Sequence, residues 1–352
     1  MESLGLSPGD FRTAADLARL PLISKKDVAA APERFRPAAG VVRTALNIQS
    51  SGTAGKPSYI DYDARALFLS LAASQRRRDV TARFLGGGFA FRELTIARLG
   101  SVSTQLRDFY EANSWTPRRL DLNRLMLAPS EPFPTVVERM NAFRPHLLSG
   151  YGSYIGALLR WAHSQQCTFH RPRAILYGAD GMPENDRLLI EDEFGIPVLS
   201  SYQSVEALRI AFQCEERRGF HIDSDQVVLR VVDATGATLP PGVPGEVVIS
   251  NLTNRATVLL NYRQGDVAAL SQRRCGCGRN LPMLESIQGR QDDLVRLPGG
   301  SVAHPLALMA VLQRVPGVVQ VQLVQQELCS FLLRAVCVPA ADWATTSEQL
   351  QS

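Results

Sequence analysis

Residues 50–57, Ser-Ser-Gly-Thr-Ala-Gly-Lys-Pro, combine small residues, hydroxyl groups and a cation in one short run. A polyphosphate is bound where backbone N–H groups and hydroxyls converge on a tight loop beside a positive charge. The Walker pattern places four residues between its first glycine and the Gly-Lys pair, and this run does not. The alternative interpretation is a surface Ser/Gly hairpin. The predicted phosphate contacts are Ser50, Ser51, Gly52, Thr53, Gly55 and Lys56.

A second set of residues has the spacing of metal ligands. Cys214 precedes His221 by seven positions, and Cys275 and Cys277 follow some 55 residues later. Without a secretion signal, metal binding is favoured over disulfides, and the Cys-x-Cys spacing would strain a disulfide within that pair. Three thiolates and an imidazole could form a closed, structural Cys₃His zinc site that links two β-ribbons. The alternative is unrelated buried thiols and a surface histidine.

The elements that must position these residues alternate between strand and helix. Strand-like segments alternate with helical ones at a spacing typical of an α/β fold with a largely parallel sheet. We expect a strand, a turn and a strand over 46–62. The predicted helices are 63–80, 134–143, 155–164 and 184–193, and the predicted strands are 145–148, 173–180 and 196–202.

The pattern changes after residue 206. Short strands and turns over 206–288 indicate an antiparallel β-rich part, and 289–300 reads as a hinge. A helix and two strands are predicted within 301–336, and the last fifteen residues have no clear pattern. We therefore predict a large domain over 1–288, with the metal-linked β-rich part at 206–288, and a hinge with a small α+β subdomain over 289–352.

Composition excludes several classes of function. The formal net charge is +4 with no basic stripe interleaved with aromatics, so nucleic-acid binding is not expected. No apolar run is long enough for a membrane helix, and the first residues lack the layout of a signal peptide, so we expect a cytoplasmic protein with no membrane partner. The remaining cysteines, Cys167, Cys329 and Cys337, lie in apolar contexts that predict core positions.

Further motifs follow residues 50–57 in a defined order: SGYGSY (149–154), YGADG (177–181), SYQSVE (201–206), YRQGD (262–266) and GRQDD (289–293). Any one of them alone is usually a turn or a solvated loop. Together with SSGTAGKP, the series resembles the adenylate-forming ligases, and in particular their phenylacetate-CoA ligase branch. The resemblance covers roughly residues 10–330. It implies an α/β large domain with a β-rich subdomain and a truncated α+β C-terminal lid.

The resemblance also implies roles for individual residues. Glu206 would hold Mg²⁺, Asp266 would accept hydrogen bonds from the ribose, and Arg290 would contact the ribose or a phosphate. Lys56, Glu206 and Arg290 would form the catalytic set. Other nucleotide contacts would be Gly178, Ala179, Asp180, Ser201, Tyr202, Gln203 and Ser204. The acid would be bound by Tyr151, Gly152, Tyr177, Gly178 and Tyr202. CGCGR-like runs in that branch resemble residues 275–279 and imply structural zinc.

The activity implied is ATP-dependent activation of a carboxylic acid, expected to be aromatic, as an acyl-AMP. The acyl group would then pass to coenzyme A or to the thiol of a carrier protein. A homodimer is kept as an open alternative for the assembly, and a role in specialised metabolism rests on analogy alone.

The sequence departs from the family pattern in three places. Gln203 stands where glycine is usual, and Val205 stands where a Ser or Thr hydroxyl normally donates to the α-phosphate. The small domain is short, and no lysine follows Lys56 to reach the reacting carboxylate. An N-terminal helical segment common in the family is not seen before Met1. A fragment, a lost step or a substitute group would each account for these departures. The rival interpretation is a non-catalytic homologue that binds a nucleotide or acyl ligand, or acts as a scaffold.

Overall fold

A computed structural model describes residues 5–49, 58–87, 91–114, 123–290, 295–298, 302–303, 312, 315–338 and 341–351. The chain divides into two compact units. The first comprises residues 1–264 and 268–286, and the second comprises 265–267 and 287–352. The boundary of the functional domains at residue 288 stays a prediction. No helix in these ranges is long and apolar enough to cross a membrane.

The secondary structure consists of short 3₁₀ turns, α-helices and strands. The 3₁₀ turns are Pro8–Asp10, Ala14–Arg19 and Pro32–Phe35. The helices are α1 (Lys25–Ala30), α2 (Ala64–Leu85), α3 (Val102–Asn113), α4 (Phe133–Phe143), α5 (Gly152–Ser164), α6 (Glu184–Phe194) and α7 (Trp343–Gln351). The strands are β1 (Leu46–Gln49), β2 (Tyr59–Tyr62), β3 (Glu93–Ile96), β4 (Arg124–Leu127), β5 (Leu147–Tyr151), β6 (Ala174–Gly178), β7 (Val198–Tyr202), β8 (Ala211–Phe212), β9 (Phe220–Ile222), β10 (Val227–Val232), β11 (Gly245–Asn251), β12 (Tyr262–Leu270), β13 (Met283–Arg290), β14 (Val295–Arg296), β15 (Val302–Ala303), β16 (Val318–Glu327) and β17 (Ser330–Cys337).

Most strands form a single 11-stranded sheet in the order β10-β11-β12-β13-β9-β8-β7-β6-β5-β3-β4. The last five strands of that order are parallel to one another, and β7, β8 and β9 pair antiparallel. The predicted α/β fold is therefore confirmed. The parallel part and the β-rich part, which the sequence separates by pattern, are continuous through β7.

Alternating residues of the parallel strands face two hydrophobic layers. Leu148, Ile175 and Val198 pack with buried residues of α4, α5 and α6 on one face. Leu147, Leu176 and Leu199, one position removed, pack on the other face against residues of α2. This period-two burial on both faces explains why the strands read as continuous apolar runs, and it fixes their register in the sheet.

Some elements differ from the prediction. Helix α2 continues to Leu85 instead of stopping near residue 80. Its own residues Val80 and Leu85 are buried, and Gly86 ends the helix with a left-handed φ of 85°. β3, α3 and β4 were not predicted; the two strands have only four residues each and carry little periodic signal.

The C-terminal prediction was also wrong in one respect. Residues 343–351 form helix α7, although the sequence shows no clear helical pattern there. Asp342 accounts for this, because its carboxylate accepts hydrogen bonds from the backbone N–H groups of Ala344 and Thr345, both at 3.3 Å. Within the second unit, β14 pairs with β15 and β16 pairs with β17 in antiparallel fashion.

Candidate functional site

The carboxyl ends of three neighbouring parallel strands bring several predicted residues together. β5, β6 and β7 lie side by side, with Tyr151 opposite Gly178 and Tyr177 opposite Ser200. Tyr202 closes β7 and is buried. In open α/β sheets, ligands bind at this edge because the loops that leave it are free to surround them. Motifs that are separated along the chain therefore lie next to one another in the folded protein.

Asp180 lies just beyond this edge, and its side chain binds the first residues of helix α5. Its carboxylate accepts a hydrogen bond from the backbone N–H of Gly152 at 2.6 Å and another from the hydroxyl of Ser153. Ala179, before it, has a left-handed φ of 70° that turns the chain toward the helix. A carboxylate at a helix N-terminus is favoured by the helix dipole. The structure therefore gives Asp180 a local structural role at the predicted adenine pocket.

Gly152 lies where no side chain fits. A Cβ atom at this position would stand 2.6 Å from Cδ2 of Tyr177 and 2.9 Å from the backbone nitrogen of Met182. The absence of a side chain allows α5 to begin directly beneath the Tyr177 ring. The pKa of Tyr177 is raised mainly by burial.

We expect Gly152→Ala to lower the free energy of unfolding by about 1–3 kcal/mol, because the new methyl group must displace Tyr177 or the backbone after Gly181. Urea unfolding measures the loss. Gly181→Ala is the matched control, since a Cβ there meets no atom within 4 Å. Equal stability of the two variants would contradict the packing described above.

Gln203, which replaces the usual glycine, lies beside these strand ends. A Cβ at Gly178 would be 3.0 Å from the Ser201 hydroxyl and 3.6 Å from the Gln203 amide nitrogen. Ser201 and Gln203 are themselves hydrogen-bonded at 2.7 Å. The three predicted residues Gly178, Ser201 and Gln203 therefore lie next to one another.

Glu206 is buried and its carboxylate is held in place. The hydroxyl of Tyr262 donates to its Oε1 at 3.0 Å, and the side-chain amide of Asn251 donates to its backbone carbonyl at 2.9 Å. Tyr62 lies close by, donates to the carbonyl of Val205 at 2.7 Å, and has its pKa raised by burial and then by the charge of Glu206. A fixed, desolvated carboxylate is a suitable ligand for a hard cation.

The position next to Glu206 lacks the expected hydroxyl. Val205 cannot donate, and the neighbouring Ser204 has a buried hydroxyl oxygen with no hydrogen-bond partner among the described residues. An unpaired buried hydroxyl is costly, so a partner supplied by a ligand would be favourable here.

Two further predicted residues lie in the second unit. Arg290 Nη1 is 3.7 Å from Oδ1 of Asp266, and the Arg290 side chain also lies over Gly265, which has a left-handed φ of 73°. The carboxylate of Asp266 is thus oriented by a cation from β13. Asp292, in the GRQDD motif within the predicted hinge at 289–300, lies outside the described residues.

The predicted phosphate loop, residues 50–57, also lies outside the described residues. The strands on either side of it are present as predicted. β1 and β2 pair antiparallel, with Gln49 opposite Tyr59 and Ile48 opposite Ile60. The roles of the loop residues stay predictions.

The four predicted metal ligands converge. The Sγ atoms of Cys214 and Cys275 are 3.5 Å apart, Cys277 Sγ is 3.3 Å from His221 Nε2, and all four ligand atoms lie within 4.8 Å of one another. A tetrahedral ion held at about 2.3 Å from sulfur and 2.0 Å from nitrogen requires separations of this size. The donor set and its geometry therefore fit a metal ion with four protein ligands.

A thiolate in this cluster needs a bound cation. Burial raises the pKa of Cys214 to about 12, because a bare thiolate is unstable in an apolar site without a cation. Burial lowers the pKa of His221, so its imidazole is neutral and able to coordinate. Arg279, two residues after Cys277, pairs with Glu215 at 2.6 Å and brings positive charge near the sulfurs.

The other cysteines are not in this cluster, and the prediction that Cys329 is in the core was wrong, since it is exposed.

Several residues of the site were not predicted. Tyr262 opens the YRQGD motif, but its contact with Glu206 was missed, and Arg77 and Arg209 were not singled out. No sequence motif marks the two arginines, because one lies in helix α2 and the other in the turn after Glu206, far apart along the chain. A wider cleft of about 570 Å³ opens at the opposite edge of the sheet between Arg92, His146 and Arg173, and none of the predicted residues lines it.

Four similar sequences are phenylacetate-coenzyme A ligases. The phenylacetate-coenzyme A ligase of Thermus thermophilus is 28% identical over 335 residues, which cover 91% of this chain and 71% of that protein. The Escherichia coli enzyme of the same name is 25% identical over 315 residues, covering 86% and 68%. The chain thus spans between 66% and 71% of the length of the phenylacetate-coenzyme A ligases it matches. No protein-family model matches the chain.

Similar solved structures show the same fold. A 2-hydroxyisobutyryl-CoA ligase in its postadenylation state, bound to 2-HIB-AMP, has a TM-score of 0.76 at 19% identity and covers 99% of this chain and 78% of its own. The O-succinylbenzoate coenzyme A synthetase of Bacillus subtilis, in complex with AMP, has a TM-score of 0.61 at 17% identity, covering 88% and 62%.

Proposed function

We propose that this chain is an adenylate-forming acid–thiol ligase of the phenylacetate-CoA ligase-like kind, and that it uses Mg·ATP to convert a carboxylic acid to an acyl-AMP. The observation that carries the proposal is the buried carboxylate of Glu206, held by Tyr262 next to the strand ends where Gly178, Ser201 and Tyr202 meet. A fixed metal-binding carboxylate at such an edge is what chemistry on a nucleotide needs.

In the proposed reaction, a carboxylate oxygen of the acid attacks the α-phosphorus of ATP. The new C–O–P linkage forms as the bond to the β-phosphate oxygen breaks, and pyrophosphate leaves with the electron pair. Mg²⁺, once bound, neutralises phosphate charge, and Glu206 would hold it. Lys56 and the hydroxyls of residues 50–57 would bind the β- and γ-phosphates. Catalysis would consist mainly of positioning and charge neutralisation.

The resemblance to the ligases assigns the remaining nucleotide contacts. Tyr177 and Gly178, with Ala179 and Tyr202, would contact the adenine and acyl groups. Asp266 would accept hydrogen bonds from the ribose hydroxyls, with Arg290 beside it contacting the ribose or a phosphate. Ser204, whose hydroxyl has no partner in the described part of the chain, would supply the α-phosphate contact that Val205 lacks.

We propose coenzyme A as the acceptor thiol, with a carrier-protein thiol as the alternative, and an aromatic acid bound near Tyr151 and Tyr177. Thiolate attack on the acyl-AMP carbonyl would form the thioester and release AMP. The proposal is supported by the names of the sequence relatives, which are phenylacetate-coenzyme A ligases. For the Cys₃His cluster we propose zinc, since three thiolates and one imidazole match its ligand preference and leave no position open for substrate.

A second candidate function is a homologue that binds the nucleotide or an acyl ligand without adenylating it. One observation favours it, namely that Val205 offers no hydroxyl beside Glu206. In that case ATP would bind and no acyl-AMP would form with any acid.

The test is incubation of the purified protein with Mg·ATP and a panel of aryl and alkyl acids, with detection of acyl-AMP by mass spectrometry. An acyl-AMP from one acid or a related set is the expected result. ATP binding without adenylate from any acid would support the second candidate. Failure to bind ATP would overturn the ligase and leave the homologue that binds an acyl ligand or acts as a scaffold.

A further inference from the structure

Two arginine side chains from distant parts of the chain meet at one neutral oxygen. With the Gln203 amide oriented so that both its ends have partners, its oxygen accepts from Arg77 Nη1 at 2.9 Å, from Arg209 Nη1 at 3.0 Å and from the Ser201 hydroxyl at 2.7 Å. Arg77 comes from α2 and Arg209 from the turn after Glu206. A single amide oxygen therefore stands between two guanidinium groups.

The two guanidinium groups are not neutralised by their surroundings. Neither forms an ion pair with a carboxylate in the described part of the chain, and the Nε atom of each is buried without a hydrogen-bond partner there. Asp223, which lines the same small cavity, is paired with Arg76 at 2.9 Å, and Arg76 also binds Asp225 at 2.7 Å.

The charges around Arg77 leave a positive excess. Four arginines (76, 77, 78 and 209) face three acids (Glu93, Asp223 and Asp225). Burial, and after it the nearby charge of Arg209, lowers the pKa of Arg77 to about 9. Two like charges are held together in a desolvated site, which is unfavourable unless an anion joins them.

The site adjoins the proposed acid- and nucleotide-binding edge. Gln203 and Ser201 lie against Gly178, and the cavity bounded by Arg77, Arg209 and these residues has a volume of about 10 Å³. That volume holds about one water molecule. The Gln203 oxygen therefore occupies the place that a ligand oxygen between the two guanidinium groups would take.

We propose that Arg77 and Arg209 bind a second negatively charged group on the acid substrate, a carboxylate, and that the Gln203 side chain moves aside when it enters. This inference rests on the proposed function and narrows its substrate class from aromatic acids in general to dicarboxylic aromatic acids. Arginine suits this role because its planar guanidinium group forms paired hydrogen bonds with a carboxylate.

Matched pairs of acids test the proposal. ATP–pyrophosphate exchange is measured with benzoate against isophthalate and terephthalate, and with phenylacetate against 3- and 4-carboxyphenylacetate. We expect kcat/KM to be higher for the dicarboxylate of each pair by on the order of 100-fold, the effect of charged hydrogen bonds in a desolvated site. Arg77→Gln and Arg209→Gln should remove that preference, so that the ratio of kcat/KM between the two acids of each pair falls to about 1. Arg65→Gln, an exposed position on the same helix, is the control.

Calorimetric binding of the same dicarboxylates without ATP separates this inference from the proposed function. Binding that depends on both arginines, without adenylate formation, would support the subsite while the proposed function fails. If no dicarboxylate binds the wild-type protein, or if wild type and both variants show the same ratio of dicarboxylate to monocarboxylate kcat/KM, the inference is overturned. Gln203→Ala keeps both arginines and empties the place between them, so it should bind the dicarboxylate more tightly, and weaker binding would count against the proposal.

Discussion

Replacing Glu206 with glutamine is expected to reduce acyl-adenylate formation by about 1,000-fold or more, because the amide cannot hold Mg²⁺ on the phosphates. The substitution keeps the size of the side chain, and an amide oxygen can still accept from Tyr262. Removing a buried negative charge relieves a desolvation cost, so the variant should be at least as stable as the wild type. The loss would therefore be one of chemistry and not of folding.

Rapid-quench measurement of acyl-AMP at saturating ATP checks this expectation, and thermal unfolding checks the fold. Tyr262→Phe is the matched control. It removes the hydrogen bond to Glu206 at 3.0 Å and leaves the carboxylate in place, so we expect a loss of about 10-fold or less. A Glu206→Gln enzyme that adenylates at the wild-type rate would exclude Glu206 as the metal ligand.

Replacing Cys275 with serine is expected to release the bound metal and to lower the free energy of unfolding by about 4 kcal/mol or more. The hydroxyl is a poor substitute for a thiolate ligand, and the remaining three ligand atoms would lie within 4.8 Å of one another without a closed coordination shell. Cys214 and His221 come from segments near β8 and β9, and Cys275 and Cys277 come from the turn between β12 and β13. The metal would therefore join two separate parts of the sheet.

Elemental analysis of the purified protein measures the zinc content, and thermal unfolding with and without a chelator measures its contribution to stability. Cys329→Ser is the control, because that cysteine is exposed and not part of the cluster. A wild-type protein that contains no metal and is unaffected by Cys275→Ser would show that the four residues do not form a metal site.

The Cys₃His cluster could be predicted from the sequence because residue type and short spacing mark its two Cys/His pairs. Two close Cys/His pairs at turns leave few arrangements, and the structure places their ligand atoms together. The motifs at the ends of β5, β6 and β7 were similarly predictable, since consecutive parallel strands joined by helices usually lie side by side. The order of strands beyond β7 was not predictable. The sequence predicts an antiparallel region there, but two- and three-residue strands such as β8 and β9 give no periodic signal that fixes their neighbours.

What the sequence by itself determined is the fold class, the chain order of the ligase-like motifs and the composition of the metal cluster, because each depends on residue type and short-range spacing. Only the tertiary structure decided which distant side chains meet. Tyr262 reaches Glu206 across 56 positions, and Arg77 reaches Gln203 across more than a hundred. The physical reason is that hydrogen bonds and charge pairs act over a few ångströms, while the sheet order that brings these groups within that distance is set by packing of the whole chain.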